Sequence, residues 1–394
     1  MRKVLSFSLF LMLGLVASQL LPGLLGPGYS SFKATTDTLL YVCLGFIMIN
    51  VGREFEIDKS RWRSYTADYF IAMATAALPW LLIVLYYVFV LLPSDLWSDP
   101  AAWKENLLLS RFAAPTSAGI LFTMLAALHL KQSWIYRKIQ VLAIFDDLDT
   151  ILLMIPLQIF MIGFKWQLFA VVIVITFLLV IGWKKLGTIR LSQTWKSILF
   201  YAVCIVAVTE SIYLLTKWMM GADGAIHIEV LLPAFVLGMV MKTVHQHGNR
   251  DEKITGMISY LFMFLVGLST PQFIGIDHGH RITEAVGIIA AQPMPSWEVL
   301  VVHVIVVTLL SNLGKMFPLF FYRDRQLEER LALSVGMFTR GEVGAGIIVI
   351  AMGYNLGGPA LIISVLSLVL NLLLTGGFVV IVKRLAQQAY GLKE

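Results

Sequence analysis

The sequence predicts an all-α polytopic membrane protein with about twelve transmembrane helices. Hydrophobic residues make up 58% of the 394 residues, only 14% are charged, and the mean hydropathy is +0.82. Apolar segments of the ~20 residues that a bilayer requires recur from end to end, which excludes a soluble domain. We place the spans at 4–22, 35–52, 65–92, 105–129, 138–163, 166–183, 197–217, 228–244, 254–274, 298–322, 330–353 and 359–382.

The number of Lys and Arg residues alternates between high and low in successive loops. The two ends and every second loop carry 22 basic residues, whereas the intervening loops carry 5. Because basic residues accumulate in cytoplasmic loops, this asymmetry supports the helix count and predicts that both termini are cytoplasmic. The sequence pI of about 9.2 then reflects orientation in the membrane, and nucleic-acid binding is not needed to explain it.

Three aspartates, Asp146, Asp147 and Asp149, lie inside the span at 138–163. A carboxylate at mid-membrane costs roughly 2.5–3.5 kcal/mol, so the three together predict a water-filled cavity, a cationic partner or a transported cation. On the helical wheel, Asp147 lies about 100° from Asp146 in one direction and Asp149 about 60° in the other. The three carboxylates therefore cannot face one narrow partner, and we expect one to pair with a basic residue while another binds a cation. Three roles stay open for Asp149: capping, neutralising Arg111 and remaining protonated.

Three basic residues remain inside the spans, namely Arg111, Lys315 and Arg340. They are the candidate partners of the aspartates. The sequence leaves open whether Lys315 or Arg340 pairs with Asp146. Glu342 is close to Arg340 in the same span and is a candidate structural partner of that arginine.

Two spans are predicted to be interrupted at mid-membrane. In the span at 105–129, Pro115 removes a backbone donor and disfavours helix at the preceding residue. In the span at 330–353, the string from Thr339 to Gly346 contains three glycines that loosen the helix, namely Gly341, Gly344 and Gly346. Backbone groups freed at this depth are tolerated only beside protein or a cavity, and paired interrupted helices indicate a transporter binding site.

The two interrupted spans run in opposite predicted directions, which suggests an inverted repeat. The third to fifth spans then mirror the tenth to twelfth, and Asn371 in the last span corresponds to the aspartates. This symmetry is inferred from spacing, since no residue-level repeat is visible. The alternative is that the glycines and the proline only aid helix packing.

With these residues, the sequence resembles the cation:proton antiporter superfamily, that is, the sodium/hydrogen exchangers and their bacterial two-aspartate relatives. The similarity of layout covers nearly the whole chain. The residues that carry it are Phe145-Asp146-Asp147, Pro115-Thr116-Ser117, Gly314-Lys315 and Met337-Phe338-Thr339-Arg340-Gly341-Glu342-Val343-Gly344.

The resemblance implies a single transmembrane domain over 1–394, in an antiporter-like fold with two crossing broken helices. Helices at about 65–163 and 298–382 would form a core that moves as an elevator, and the remaining helices a panel that dimerises. A homodimer in a bacterial inner membrane, exchanging Na⁺, K⁺ or Li⁺ for H⁺, is the expectation. We expect neither a cofactor nor enzymatic activity.

The resemblance also implies roles for the site residues. Asp147 would bind the monovalent cation, Asp146 would pair with Lys315, and Thr116 or Ser117 with nearby carbonyls would complete the site. An aspartate at the first position of the pair is typical of electrogenic exchangers.

Some features depart from this pattern or allow other functions. Asp149 is absent from the usual family pattern, and the presence of both Lys315 and Arg340 leaves the partner of Asp146 open. A Na⁺-coupled symporter of a small organic anion remains an alternative, as do a membrane-embedded, Mg²⁺-dependent prenyltransferase and a channel. The prenyltransferase would need a second Asp-rich motif, and the sequence contains only one.

Overall fold

The computed structural model describes most of the chain. The described residues are 2–53, 62–116, 133–162, 187–220, 230–242, 249–270, 287–354 and 356–391, with single positions between 173 and 185. Ser117 and most of the predicted span at 166–183 lie outside them.

Within the described ranges there are twelve α-helices: α1 Arg2–Leu25, α2 Tyr29–Arg53, α3 Trp62–Tyr86, α4 Pro100–Ser110, α5 Trp134–Ile162, α6 Trp195–Met220, α7 Leu231–Val240, α8 Asn249–Leu268, α9 Trp297–Gly314, α10 Leu327–Gly336, α11 Glu342–Gly353 and α12 Gly358–Tyr390.

These helices confirm the predicted all-α membrane fold. By length and composition, five helical segments of the described chain can cross a bilayer: Tyr29–Arg53, Thr66–Leu91, Trp195–Trp218, Trp297–Phe320 and Gly358–Tyr390. Helix α5 is 29 residues long but carries the three aspartates. Helices α4, α10 and α11 are only 10 to 12 residues long, because they belong to the two interrupted spans.

Helix α12 extends further than its apolar sequence predicted. We placed its end at residue 382, where the apolar run gives way to Lys383 and Arg384, but the helix continues to Tyr390. It ends at Gly391, whose φ of 62° is the left-handed conformation that closes many helices. The Tyr390 hydroxyl donates to Glu329 Oε1 over 2.8 Å. The end of the apolar stretch therefore was a poor guide to the end of the helix.

The first interruption begins before the proline that predicts it. Helix α4 ends at Ser110, and a 3₁₀ turn follows over Arg111–Ala113. Pro115 has no N–H for the carbonyl of Arg111 four residues earlier, and its ring crowds that carbonyl. The Ala114 N–H donates to the Arg111 carbonyl over 3.0 Å instead, which is the shorter bonding step of a 3₁₀ turn.

The second interruption separates α10 from α11. Helix α10 ends at Gly336, residues 337–341 are not helical, and α11 begins at Glu342. Gly341 has extended backbone, with φ of −170°. The second predicted interruption is therefore present, and the structure describes the first as far as Thr116.

The two interruptions contact each other. The Thr116 hydroxyl, at the end of the described part of the first one, donates to the carbonyl of Met337 at the start of the second over 3.1 Å. A Cβ added to Gly344 on α11 would lie 2.8 Å from the carbonyl oxygen of Phe112. Only glycine lets the backbones approach so closely, so the broken helices cross at this point.

Two sets of helix contacts surround the crossing. Helix α1 packs along α8 and α2 along α7, and Gly14 and Gly267 allow the backbones of α1 and α8 to meet. Helix α3 packs against α5 and α9, and α12 against α9 and α10. Helix α5, which carries the aspartates in its middle, packs against α3, α4 and α10.

Candidate functional site

A buried ion pair joins the middle of α5 to the end of α9. Lys315 Nζ lies 3.0 Å and 2.8 Å from the two carboxylate oxygens of Asp146, and both side chains are fully buried. Removing two charges from water is expensive, and only close contact of this kind compensates for it. Of the two candidates the sequence left open, the structure pairs Asp146 with Lys315.

Lys315 reaches Asp146 because α9 lies very close to α3. Helix α9 ends at Gly314, and Lys315 is its C-cap residue. A Cβ on Gly314 would collide with the backbone of Pro79 in α3. The glycine therefore brings the end of α9 into the interior, and the lysine that follows it points at α5.

A second buried ion pair joins Asp149 to Arg111, the residue after the end of α4. Arg111 Nη2 donates to the Asp149 carboxylate over 3.2 Å and to its main-chain carbonyl over 3.0 Å. The centre of the guanidinium lies 4.6 Å from the centroid of the Trp80 ring, a favourable cation–π distance. Of the three roles left open for Asp149, the structure shows the pairing with Arg111.

The two ion pairs agree with the predicted divergence of the aspartates around α5. Asp146 faces α9 and Asp149 faces the end of α4, so different helices supply their basic partners. Asp147 follows Asp146 directly and is 3% exposed. Three carboxylates within one helical turn are thus buried beside the crossing of the broken helices.

Arg340 is fully buried, and its contacts are with the backbone. Its Nη1 donates to the carbonyl of Met337 over 3.1 Å and its Nη2 to that of Ser311 over 3.2 Å. Met337 follows the last residue of α10, so the guanidinium lies where a helix C-terminus leaves carbonyls unpaired. Arg340 therefore stabilises the second interruption. The side chain of Glu342, its predicted partner, lies outside the described residues.

Thr116 and Asn371 also lie in the buried interior. Thr116 is fully buried and bridges the two interruptions. Asn371 on α12 donates to Asn312 Oδ1 on α9 over 2.9 Å, three residues before Lys315. This places Asn371 in the polar layer around the ion pair. Ser117, the other candidate hydroxyl, is outside the described part of the chain.

Sequence reasoning missed two residues of this region. Trp80 covers Arg111, and its indole N–H donates to the carbonyl of Leu107 on α4 over 2.8 Å. Nothing in the sequence distinguishes Trp80 from a lipid-facing tryptophan. Asn312 could have been predicted, because it lies three residues before Lys315 and thus on the same face of α9.

A third ion pair lies near the start of α5, away from this cluster. Lys138 Nζ lies 2.8 Å and 2.7 Å from the carboxylate oxygens of Asp68 on α3. The Tyr322 hydroxyl donates to the same carboxylate over 2.7 Å. This pair contacts the α9–α10 connection and offers a comparison for the two pairs in the centre.

An all-helical membrane protein in which two interrupted helices cross beside buried charges has the architecture of a secondary transporter. The family model described as "Sodium/hydrogen exchanger, transmembrane" matches residues 2–385. The chain therefore belongs to the sodium/hydrogen exchanger family. The resemblance found from its motifs is confirmed.

A solved structure shows the same fold. The sodium proton antiporter MjNhaP1 from Methanocaldococcus jannaschii, determined at pH 8, is similar over 95% of this chain and 91% of its own, with a TM-score of 0.54. Sequence identity is only 13%, so this likeness concerns the fold. No curated protein sequence matches the chain significantly.

Proposed function

We propose that this protein exchanges Na⁺ for H⁺ across a membrane, with Asp147 as the carboxylate that binds the two ions in turn. Membership of the sodium/hydrogen exchanger family supports cation:proton antiport. The observation that carries the site assignment is the fully buried Asp146–Lys315 pair. It supports Asp147, the next residue on α5, as the carboxylate of the site.

The proposed exchange follows from competition at one buried carboxylate. A hard monovalent cation prefers oxygen ligands, and the Asp147 carboxylate, the Thr116 hydroxyl and carbonyls freed at the interruptions are of that kind. An ionised carboxylate without a proton or a cation is costly to carry through the membrane interior. The loaded forms therefore cross, and the two ions move in opposite directions.

The larger motions and the assembly are part of the same proposal. Helices α3–α5 and α9–α12 form the core that carries the site, and the remaining helices form the panel that dimerises. The core moves as an elevator, and the termini face the cytoplasm of a bacterial cell. The distribution of basic residues between alternate loops supports this orientation. K⁺ and Li⁺ are the alternative cations, because oxygen ligands suit them as well.

The experiment that tests the proposal compares Asp147→Asn with the unmodified protein in proteoliposomes. Asn keeps the shape of the side chain but cannot exchange a proton, so Na⁺-dependent proton release should be abolished. Glu210→Gln is the matched control, since Glu210 is an acid on α6, outside the proposed core. We expect the control to exchange normally. Substantial exchange by a folded Asp147→Asn variant would transfer the role to another group.

A further inference from the structure

Arg111 connects three helices at one buried point. Its guanidinium holds Asp149 of α5 by both the carboxylate and the main-chain carbonyl. Trp80 of α3 covers it and is in turn hydrogen-bonded to Leu107 of α4. Helices α3, α4 and α5 are therefore linked through a single side chain.

Stability is a poor explanation for this arrangement. Buried ion pairs often contribute less to folding than apolar side chains of the same volume. Nε and Nη1 of Arg111 are buried and find no acceptor in the described part of the chain, and each unsatisfied donor costs about 1–3 kcal/mol. Two of its donors thus have no acceptor among the described residues, so folding stability alone does not explain this buried arginine.

The position of the pair suggests another role. Asp149 follows Asp147 by two residues, within the same helical turn, so fixing its carbonyl fixes the backbone that carries Asp147. Arg111 occupies the 3₁₀ turn that leads into the first interruption, five residues before Thr116. The contact therefore sets the position of the proposed carrier carboxylate relative to the oxygens at the interruption.

We propose that Arg111 is a positioning residue for the cation site, and that it acts through Asp149. This inference rests on the proposed exchange at Asp147. A different explanation is that the pair serves only charge balance, because the charges of Arg111 and Asp149 cancel. The test must therefore remove the contact without changing the net charge.

The double variant Arg111→Met/Asp149→Asn meets this condition, since both hydrogen bonds and both charges are lost together. Second-sphere partners that orient ion ligands contribute about 10–100-fold to affinity, so we expect the KM for Na⁺ to rise about tenfold. The stabilisation of the detergent-solubilised protein by Na⁺, measured as a shift in Tm, should fall in parallel. The matched control, Asp68→Asn/Lys138→Met, removes the neutral pair near the start of α5 and should leave the KM unchanged.

The outcomes separate the possibilities. An unchanged KM in the central double variant overturns the positioning role, and so does an equal rise in the control. If the double variant does not fold, Trp80→Leu provides the test. This substitution removes the aromatic ring that covers the Arg111 guanidinium and changes no charge. A raised KM in that variant, with recovery in Trp80→Phe, supports the proposal, and an unchanged KM overturns it. Absence of Na⁺-dependent proton release by the unmodified protein would instead remove the proposed function.

Discussion

At the residue scale, the central feature is that neighbouring aspartates have different environments. Asp146 contacts an ammonium on α9 and Asp149 a guanidinium at the end of α4. Their divergence around α5 is a consequence of helix geometry, with about 100° between successive residues. Asp147 lies between them in sequence, buried to 3% exposure. One turn of helix can thus combine two fixed ion pairs with the proposed carrier carboxylate.

A double-mutant cycle tests the assignment of Lys315 as the partner of Asp146. Combining Lys315→Met with Asp146→Asn in detergent-solubilised protein should give a coupling of about 1–3 kcal/mol, because the two groups are in direct contact. Arg340→Met provides the comparison, since Arg340 donates to the carbonyls of Met337 and Ser311. Its coupling with Asp146→Asn should be smaller. The reverse ranking would transfer the partnership to Arg340.

At the element scale, the site depends on the end of α4 and on the break between α10 and α11. Pro115 converts the end of α4 into a 3₁₀ turn, and the residues after Gly336 separate α10 from α11. The Arg340 guanidinium donates to the carbonyl of Met337 at the end of α10, and the Thr116 hydroxyl donates to the same carbonyl. The groups freed by one interruption are thus partly satisfied by the other.

Gly344→Ala tests the close crossing. The added methyl group would lie 2.8 Å from the Phe112 carbonyl oxygen, and overpacking of this kind costs about 1–3 kcal/mol. We expect a lower Tm and slower exchange, because α11 must move away from the 3₁₀ turn. Gly377→Ala on α12 is the control, as nothing lies within 4 Å of its Cβ. That substitution should be neutral or slightly stabilising. Equal behaviour of the two variants would mean that the crossing tolerates separation.

At the scale of the whole molecule, the question is how much charge each transport cycle moves. Asp146 and Lys315 offer a second proton besides that of Asp147 if the pair rearranges when the cation binds. Exchange of two protons for one Na⁺ moves one net charge per cycle. A potential of 100 mV then contributes about 2.3 kcal/mol to the driving force.

We therefore predict that transport is electrogenic. In proteoliposomes with a fixed pH gradient, a K⁺/valinomycin potential should change the Na⁺ flux strongly, after a control shows that K⁺ is not itself transported. Asp146→Asn should weaken the response to voltage even where some exchange persists. Flux that is independent of voltage in the unmodified protein would leave antiport intact and make the Asp146–Lys315 pair purely structural.

The sequence by itself determined the membrane class, most of the described helices, the positions of the two interruptions and the family. These are encoded locally, in apolar run length, in the charge of loops, and in the positions of Pro115 and the glycines of α11. The same local signals placed the acids and bases in the interior. They misplaced the end of α12, because a helix can continue where apolar character ends.

Only the tertiary structure decided which charges meet. The residues alone left open whether Lys315 or Arg340 pairs with Asp146, and only the family resemblance favoured Lys315. The approach of α9 to α3 at Gly314 brings Lys315 to Asp146, while the end of α10 supplies carbonyls to Arg340. Contacts between residues far apart in the chain depend on how helices pack, and local sequence does not specify that.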